Sequence, residues 1–159
     1  MMASTEGRMA VFMEDEIRVM GRTASGVRGI NLNDADCVGL EVVRLDDNIL
    51  IVTRNGYGKK TLVNEFRTTK RGSKGVKALN ITDKNGPLVA FKIIEGEQDL
   101  MIITNSGMLI RLSLEQISQL GRVTQGVRLI NLKDKQIVST ISIVDKEEEI
   151  IEEEINNNN

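Results

Sequence analysis

The feature that most constrains the fold of this chain is an internal repeat. Three segments share a glycine, an apolar pattern and an asparagine, and they begin 49 and then 51 residues apart: Gly26–Leu32, Gly75–Ile81 and Gly126–Leu132. A second glycine lies 19 residues before each of them, at Gly7, Gly56 and Gly107. A period of this length is typical of propeller blades and other arrays, in which each unit buries its apolar face against its neighbours.

Each unit predicts short strands. Apolar runs rich in Ile, Val and Leu are bounded by turn residues, as in Ile49–Thr53, Leu88–Ile94 and Leu100–Thr104. An Asn-Ser-Gly turn joins Leu100–Thr104 to Met108–Leu112, which predicts a hairpin. Only Ser113–Ser118 favours a helical turn, and no segment supports a long helix. The expected fold is all-β, a propeller-like array of four-stranded blades with about three blades present.

The chain is predicted to divide into a basic body and an acidic tail. The repeat places the units of the body at about 4-52, 53-103 and 104-144. Residues 145-154 hold seven acids and one lysine, which leaves 16 acids and 20 bases elsewhere, although the whole chain has a net charge of -2. Residues 145-159 are expected to be a disordered tail that competes with a polyanion for the body, or else a tail that only aids solubility.

Composition excludes several kinds of site. The sequence has no histidine and one cysteine, Cys37, which excludes histidine-dependent catalysis, an internal disulfide and a multi-cysteine metal site. We therefore predict no catalytic residues, no cofactor and no metal. Apolar runs fall short of the roughly 20 residues of a bilayer span, and no secretory leader is recognisable, so a cytoplasmic location away from membranes is expected. Cys37 is predicted to be a small core residue.

Basic residues follow the repeat, which distinguishes them from a scattered solvated surface. Residues 59–77 carry seven cations against one acid, and Thr69–Gly75 is a glycine-containing loop with three of them. Glycines let backbone amides approach phosphate oxygens, while Lys and Arg supply the opposite charge. Because only four aromatic residues are present, stacking on single-stranded bases is disfavoured. The residues predicted to bind duplex DNA are Arg22, Arg28, Lys59, Lys60, Lys70, Arg71, Lys74, Lys77, Arg111, Arg122 and Arg128.

These segments resemble a known family, the C-terminal domain of the DNA gyrase A protein. The resemblance spans nearly the whole chain and is carried by Met20–Leu32, Thr53–Thr61, Leu100–Thr104 and Gly121–Arg128. It implies a β-pinwheel, a propeller-like disc whose basic rim wraps duplex DNA and supports negative supercoiling. It also implies a bacterial cytoplasmic protein at the nucleoid, with the rest of gyrase A and gyrase B as partners in a heterotetramer.

The sequence departs from the family pattern in two ways. The hallmark loop of the family has the sequence Q-R-R-G-G-x-G, and here Thr69 replaces the glutamine and Ser73 the second glycine. The chain also holds about three repeat units, where a full domain usually has six. It therefore resembles the C-terminal half of the domain, which is expected neither to cleave DNA nor to hydrolyse ATP. Two alternatives remain open, the C-terminal domain of topoisomerase IV and a propeller-like protein-interaction module.

Overall fold

Eleven strands form three antiparallel sheets in the computed structural model, which describes residues 1–146. The strands are β1 (Met2–Ser4), β2 (Arg8–Ala10), β3 (Cys37–Leu40), β4 (Asn48–Thr53), β5 (Tyr57–Leu62), β6 (Val76–Lys77), β7 (Leu88–Ile94), β8 (Gln98–Thr104), β9 (Leu109–Ser113), β10 (Val127–Arg128) and β11 (Val138–Asp145). Three short 3₁₀ turns occupy equivalent positions of the repeat, Glu14–Glu16, Val63–Glu65 and Leu114–Gln116. The prediction of an all-β fold is confirmed. None of the helical turns within residues 1–146 has the length and apolar character of a membrane span.

In two of the three sheets, the fourth strand is contributed by the next repeat unit. The strand orders are β3-β1-β2-β6 in the first sheet, β10-β5-β4-β7 in the second and β11-β8-β9 in the third. Val76 of β6 pairs with Met9 of β2, and Val127 of β10 pairs with Gly58 of β5. The Gly-Val segments at Gly75 and Gly126 therefore join the second unit to the first and the third unit to the second.

The unit boundaries that the sheets indicate differ from those that the repeat predicts. Strand β4 pairs with β5 and β7, and β8 pairs with β9 and β11. Boundaries after residues 52 and 103 therefore separate each central strand from its partners. The first residue of the predicted tail, Asp145, is the last residue of β11, and Lys146 forms an ion pair with Glu115. The rest of that tail, residues 147–159, lies outside the described residues.

The second sheet is buried on both faces, which explains why β4 is continuously apolar. Ile49 and Ile51 belong to the apolar cluster shared with the first sheet, and Leu50 and Val52 belong to the cluster shared with the third. All four side chains are fully buried. Successive side chains of a strand point to opposite faces, so a strand between two sheets needs an apolar residue at every position.

The outer edge of β9 carries no fourth strand within residues 1–146. The equivalent edges of the first and second sheets are covered by β6 and β10. Leu109 of β9 is 55% exposed, whereas the equivalent Met9 of β2 is 0% exposed. Met9 packs in the apolar cluster shared with the second sheet, so burial at this position of the repeat depends on the unit that follows.

The prediction that Cys37 is a core residue is wrong, because its side chain is exposed. Cys37 begins β3, the outermost strand of the first sheet, where its Cα pairs with that of Ser4. One face of an outer strand can meet solvent, and the short apolar run around Cys37 gives no information on which face that is.

Gly75 lies where β6 meets the first sheet. Its φ is +68°, and an added Cβ would lie 2.3 Å from the carbonyl oxygen of Met9. Gly26, the equivalent residue of the first unit, has a φ of +78°, but an added Cβ there meets no atom within 4 Å. Alanine is strained at both positions, because a residue with a Cβ rarely adopts a positive φ. Only Gly75→Ala must in addition displace a backbone carbonyl, that of Met9.

We expect Gly75→Ala to lower the free energy of unfolding by about 2 kcal/mol more than the matched control Gly26→Ala. Urea unfolding followed by far-UV circular dichroism measures both losses. Equal losses in the two variants would contradict the view that the close approach of β6 to β2 requires glycine.

Candidate nucleic-acid interface

The glycine-containing loop Thr69–Gly75 lies against the backbone of the first unit. The amide of Thr69 donates to the carbonyl of Val11 at 2.6 Å, and the amide of Gly72 donates to the carbonyl of Gly29 at 2.7 Å. The hydroxyl of Ser73 donates to Oγ1 of Thr69 at 3.0 Å. The two residues that depart from the family hallmark, Thr69 and Ser73, thus bond to each other and help to hold the loop on its neighbour.

Three exposed cations surround a cavity beside this loop. Arg67, Lys70 and Lys74 line a volume of about 520 Å³, and no acidic residue of the described chain lines it with them. Within residues 1–146, none of the three forms an ion pair. Lys77, just beyond the loop, is also exposed, and its ammonium donates to Oδ1 of Asn80 at 2.8 Å. Concentrated positive charge of this kind attracts a phosphate backbone, and Arg67 joins the residues that the sequence predicts.

The arginine that recurs four residues before the later glycine connects neighbouring units. Nη1 of Arg71 donates to the carbonyl of Arg28 at 2.8 Å, and the amide of Arg71 donates to Oε2 of Glu16 at 2.9 Å. Arg122 makes the equivalent two bonds one unit later, to the carbonyl of Lys77 and to Oε2 of Glu65. These two guanidinium groups hold the array together, so their role is at least partly structural.

The acidic partners of these arginine loops were not among the predicted site residues. Glu16 and Glu65 each lie nine residues after the first glycine of their unit, and Gln116 holds the same position in the third. This recurring position is the signal in the sequence from which a contact between units could have been predicted. Each glutamate accepts a charge-assisted hydrogen bond from the unit that follows it.

Lys59 is a correction to the predicted DNA contacts, because its side chain is 0% exposed. Its ammonium donates to the carbonyl oxygens of Gly121 and Arg122, each at 2.7 Å, and to Oγ1 of Thr124 at 3.2 Å. A buried ammonium is tolerated only when hydrogen-bond acceptors surround it. Lys59 therefore joins β5 of the second unit to a turn of the third and does not reach a phosphate.

The pKa of Lys59 is lowered from its ordinary value of 10.5 to about 8, chiefly by burial; the charge of Glu65 opposes this shift and that of Arg122 adds to it. An unfolded chain keeps this proton up to the ordinary lysine pKa, so between about pH 8 and pH 10.5 the unfolded state binds more protons than the folded state. We expect the free energy of unfolding to rise across this window in the unchanged protein relative to Lys59→Met. Urea unfolding at several pH values measures the difference, and a difference that is constant with pH would contradict the lowered pKa.

Two other predicted contacts, Lys60 and Arg111, are engaged by the protein. Nζ of Lys60 donates to the carbonyl of Leu114 at 2.8 Å. Nε of Arg111 lies 2.7 Å from Oδ2 of Asp99 in an ion pair. The ammonium of Lys60 is thus held by a carbonyl, and the charge of Arg111 is offset by its paired carboxylate. Both residues are therefore weaker candidates for phosphate contacts than the exposed cations of the loop.

The predicted residues thus fall into groups that differ in exposure. Those that are exposed are Arg22, Arg28, Lys70, Lys74, Lys77, Arg111 and Arg128, those that are partly buried are Lys60, Arg71 and Arg122, and Lys59 is buried. Contacts between units bring Arg71 beside Arg28 and Arg122 beside Lys77. Within residues 1–146, no group of three or more acidic or cysteine side chains is placed to hold a metal ion.

Comparison with known proteins shows which protein family this chain resembles. A family model described as the DNA gyrase C-terminal domain, beta-propeller, matches residues 1–44, 47–95 and 98–145, and each match contains three strands of one sheet. The DNA gyrase A protein of Staphylococcus aureus (strain NCTC 8325) is 51% identical over 148 residues, which cover 90% of this chain and 17% of the relative. The corresponding protein of Staphylococcus epidermidis is 49% identical over 141 residues, which cover 87% of this chain and 16% of the relative. The chain thus spans about a sixth of the length of these relatives.

Solved structures share the fold at lower sequence identity. The C-terminal domain of DNA topoisomerase IV superposes with a TM-score of 0.82 at 22% identity, over 91% of this chain and 46% of that one. The DNA gyrase A C-terminal domain gives a TM-score of 0.78 at 21% identity, over 90% of this chain and 49% of that one. The predicted propeller-like arrangement is confirmed. With three consecutive matches that together cover residues 1–145 almost completely, the chain belongs to the DNA gyrase C-terminal domain family of β-propeller domains.

Proposed function

We propose that this chain binds duplex DNA without sequence specificity and bends it along the array of units. The observation that carries the proposal is a cation two residues after the later glycine of each unit, Arg28, Lys77 and Arg128, that recurs with the repeat and is exposed in every unit. A polyanion with regularly spaced charges matches a regular row of cations, and contacts to phosphates carry little sequence information.

Bending a stiff duplex requires several contacts along the protein. DNA has a persistence length of about 150 base pairs, so a tight bend costs energy that contacts at successive units must repay. We propose that the chain is the non-catalytic DNA-wrapping part of a gyrase A protein, which works with the rest of gyrase A and with gyrase B at the bacterial nucleoid to support negative supercoiling. The 51% identity to a gyrase A protein supports gyrase over topoisomerase IV.

Fluorescence anisotropy with two duplexes of unrelated sequence tests DNA binding. We expect similar affinities for both duplexes and a linear fall of log K with log salt, with a slope of about −0.9 for each phosphate contact. A salt-independent affinity, or no binding at low salt, would contradict the proposal and favour a module that binds proteins.

Ligation of a nicked circular DNA in the presence of the protein tests wrapping. Wrapping in a fixed direction traps a change in linking number of one sign, which is read by gel electrophoresis after the protein is removed. A distribution centred where the protein-free control lies, under conditions in which the protein is bound, would show binding without wrapping.

A further inference from the structure

A basic pocket lies where the second and third units meet, and the proposed DNA contacts use only one of its residues. We call it the Tyr57 pocket, and it has a volume of about 330 Å³. The residues that matter for its chemistry are Tyr57, Lys84, Arg128, Lys133, Asp134 and Lys135.

The centre of the Tyr57 pocket is a phenol held by a guanidinium. Arg128 of β10 pairs in register with Tyr57 of β5. Nη2 and Nε of Arg128 donate to the hydroxyl oxygen of Tyr57 at 2.9 Å and 3.2 Å. Because that oxygen accepts both bonds, the hydroxyl hydrogen of Tyr57 is available to donate to a further group.

Positive charge surrounds this phenol. Nζ of Lys84 lies 5.6 Å from the centre of the Tyr57 ring, and Cζ of Arg128 lies at the same distance. Lys133 and Lys135 line the same volume, where Asp134 is the one acidic residue that the described part of the chain contributes. Within residues 1–146, none of the four cations forms an ion pair. The pocket therefore has an excess of positive charge that the described chain does not neutralise.

The repeat does not require this cluster of charges. At the junction of the first and second units, Arg8 holds the position of Tyr57 and donates to the carbonyl of Gly75 at 3.1 Å. Ala35 holds the position of Lys84 there, and Thr82 holds the position of Lys133. That junction forms the same strand pairing without these two lysines, so Lys84 and Lys133 of the Tyr57 pocket are not needed for the fold.

We propose that the Tyr57 pocket is a binding site for a phosphate group. A phenol hydroxyl, a planar guanidinium and three ammonium groups together supply donors and charge for the oxygens of a tetrahedral anion. The phosphate is either inorganic phosphate or a phosphate of the DNA backbone. Only the second of these sources rests on the proposed function.

Tyr57 itself supplies a probe at the site. It is the one tyrosine of the chain, so incorporation of 3-fluorotyrosine into the intact chain gives a single fluorine NMR resonance from the pocket. We expect a saturable shift of this resonance when inorganic phosphate is added at constant ionic strength, and no such shift when chloride replaces phosphate. A short duplex, added in a separate titration, tests the DNA backbone as the source.

Two triple variants locate the effect. Lys84→Ala/Lys133→Ala/Lys135→Ala is expected to weaken the apparent phosphate affinity about tenfold or more, because it removes three of the four cations. The matched control Lys70→Ala/Lys74→Ala/Lys77→Ala removes the same charge from the loop and is expected to leave the phosphate shift unchanged. As a second readout without the label, phosphate should raise the melting temperature of the unchanged protein more than that of Tyr57→Phe.

Each outcome decides one part of the proposal. A shift with phosphate and with duplex, lost in the pocket variant, supports a site that receives the DNA backbone. A shift with phosphate alone supports a site for the free anion and overturns the DNA source. No shift with either ligand, while anisotropy still detects DNA binding, overturns the pocket and leaves the proposed function intact. A phosphate shift without any DNA binding overturns the proposed function and leaves the pocket intact.

Discussion

Replacement of Lys70, Lys74 and Lys77 by alanine is expected to weaken duplex binding by up to about 500-fold at about 0.1 M salt. All three ammonium groups are exposed, and none forms an ion pair within residues 1–146. Each lysine–phosphate contact releases counterions from the DNA when it forms. If binding of the variant and of the unchanged protein is equal at about 1 M salt, each lost contact lowers log K at about 0.1 M by about 0.9. The slope of log K against log salt should therefore become shallower by up to about 2.7.

Anisotropy titrations across a salt series measure both the affinity and the slope. Lys92→Ala/Lys146→Ala is the control, because these two lysines lie in ion pairs with Glu41 and Glu115. The control is expected to bind nearly as well as the unchanged protein. A folded loop variant that keeps the original slope would exclude this loop as a contact surface. Arg71 is left unchanged in the test, since its bonds to the first unit make its loss a structural change as well.

Lys59→Met is expected to lower the free energy of unfolding by about 2 kcal/mol. The substitution keeps a long unbranched side chain but removes the ammonium, whose partners are the carbonyls of Gly121 and Arg122 and the hydroxyl of Thr124. The carbonyl of Arg122 then loses the donor that Lys59 gives it, and methionine at this buried position has no donor to replace it. The contact between the second and third units should weaken as a result.

The neighbouring Lys60→Met is the matched control for this change. Nζ of Lys60 donates to one carbonyl, that of Leu114, and its side chain is only partly buried. Its loss is expected to cost no more than about 1 kcal/mol, because solvent can replace the lysine at that carbonyl. Urea unfolding of both variants at pH 7 gives the comparison. Similar losses would show that the buried ammonium of Lys59 contributes no more than a partly exposed hydrogen bond.

Part of the candidate interface could be predicted from the sequence, and part could not. The loop cations Lys70 and Lys74 are exposed as a surface role requires, because they lie in a glycine-containing loop between strands. Lys84, Lys133 and Lys135 escaped prediction because each lies in an ordinary turn, far along the chain from Tyr57. The pairing of β10 with β5 brings Arg128 and the turn at Lys133–Lys135 to Tyr57. The turn at Lys84 is held beside Tyr57 by Asn55, whose Nδ2 donates to the carbonyl of Lys84 at 3.2 Å.

The sequence by itself determined the array. The recurring glycines, the turn residues and the continuous apolar run of β4 are local patterns, and each predicts short strands that are buried between units. These signals are strong because a strand between two sheets needs an apolar residue at every position, whatever lies further along the chain.

Tertiary structure alone decided what each basic residue does. Lys59 and Lys60 are adjacent in one strand and equal in charge, yet one is buried and the other partly exposed. Their side chains point to opposite faces, and the face of Lys59 is covered by a turn 62 residues further along the chain. Arg71 and Lys70 differ in the same way, because the carbonyl that Arg71 reaches lies 43 residues earlier in the first unit. Residue type fixes the charge of a side chain, and packing between units determines whether that charge faces solvent.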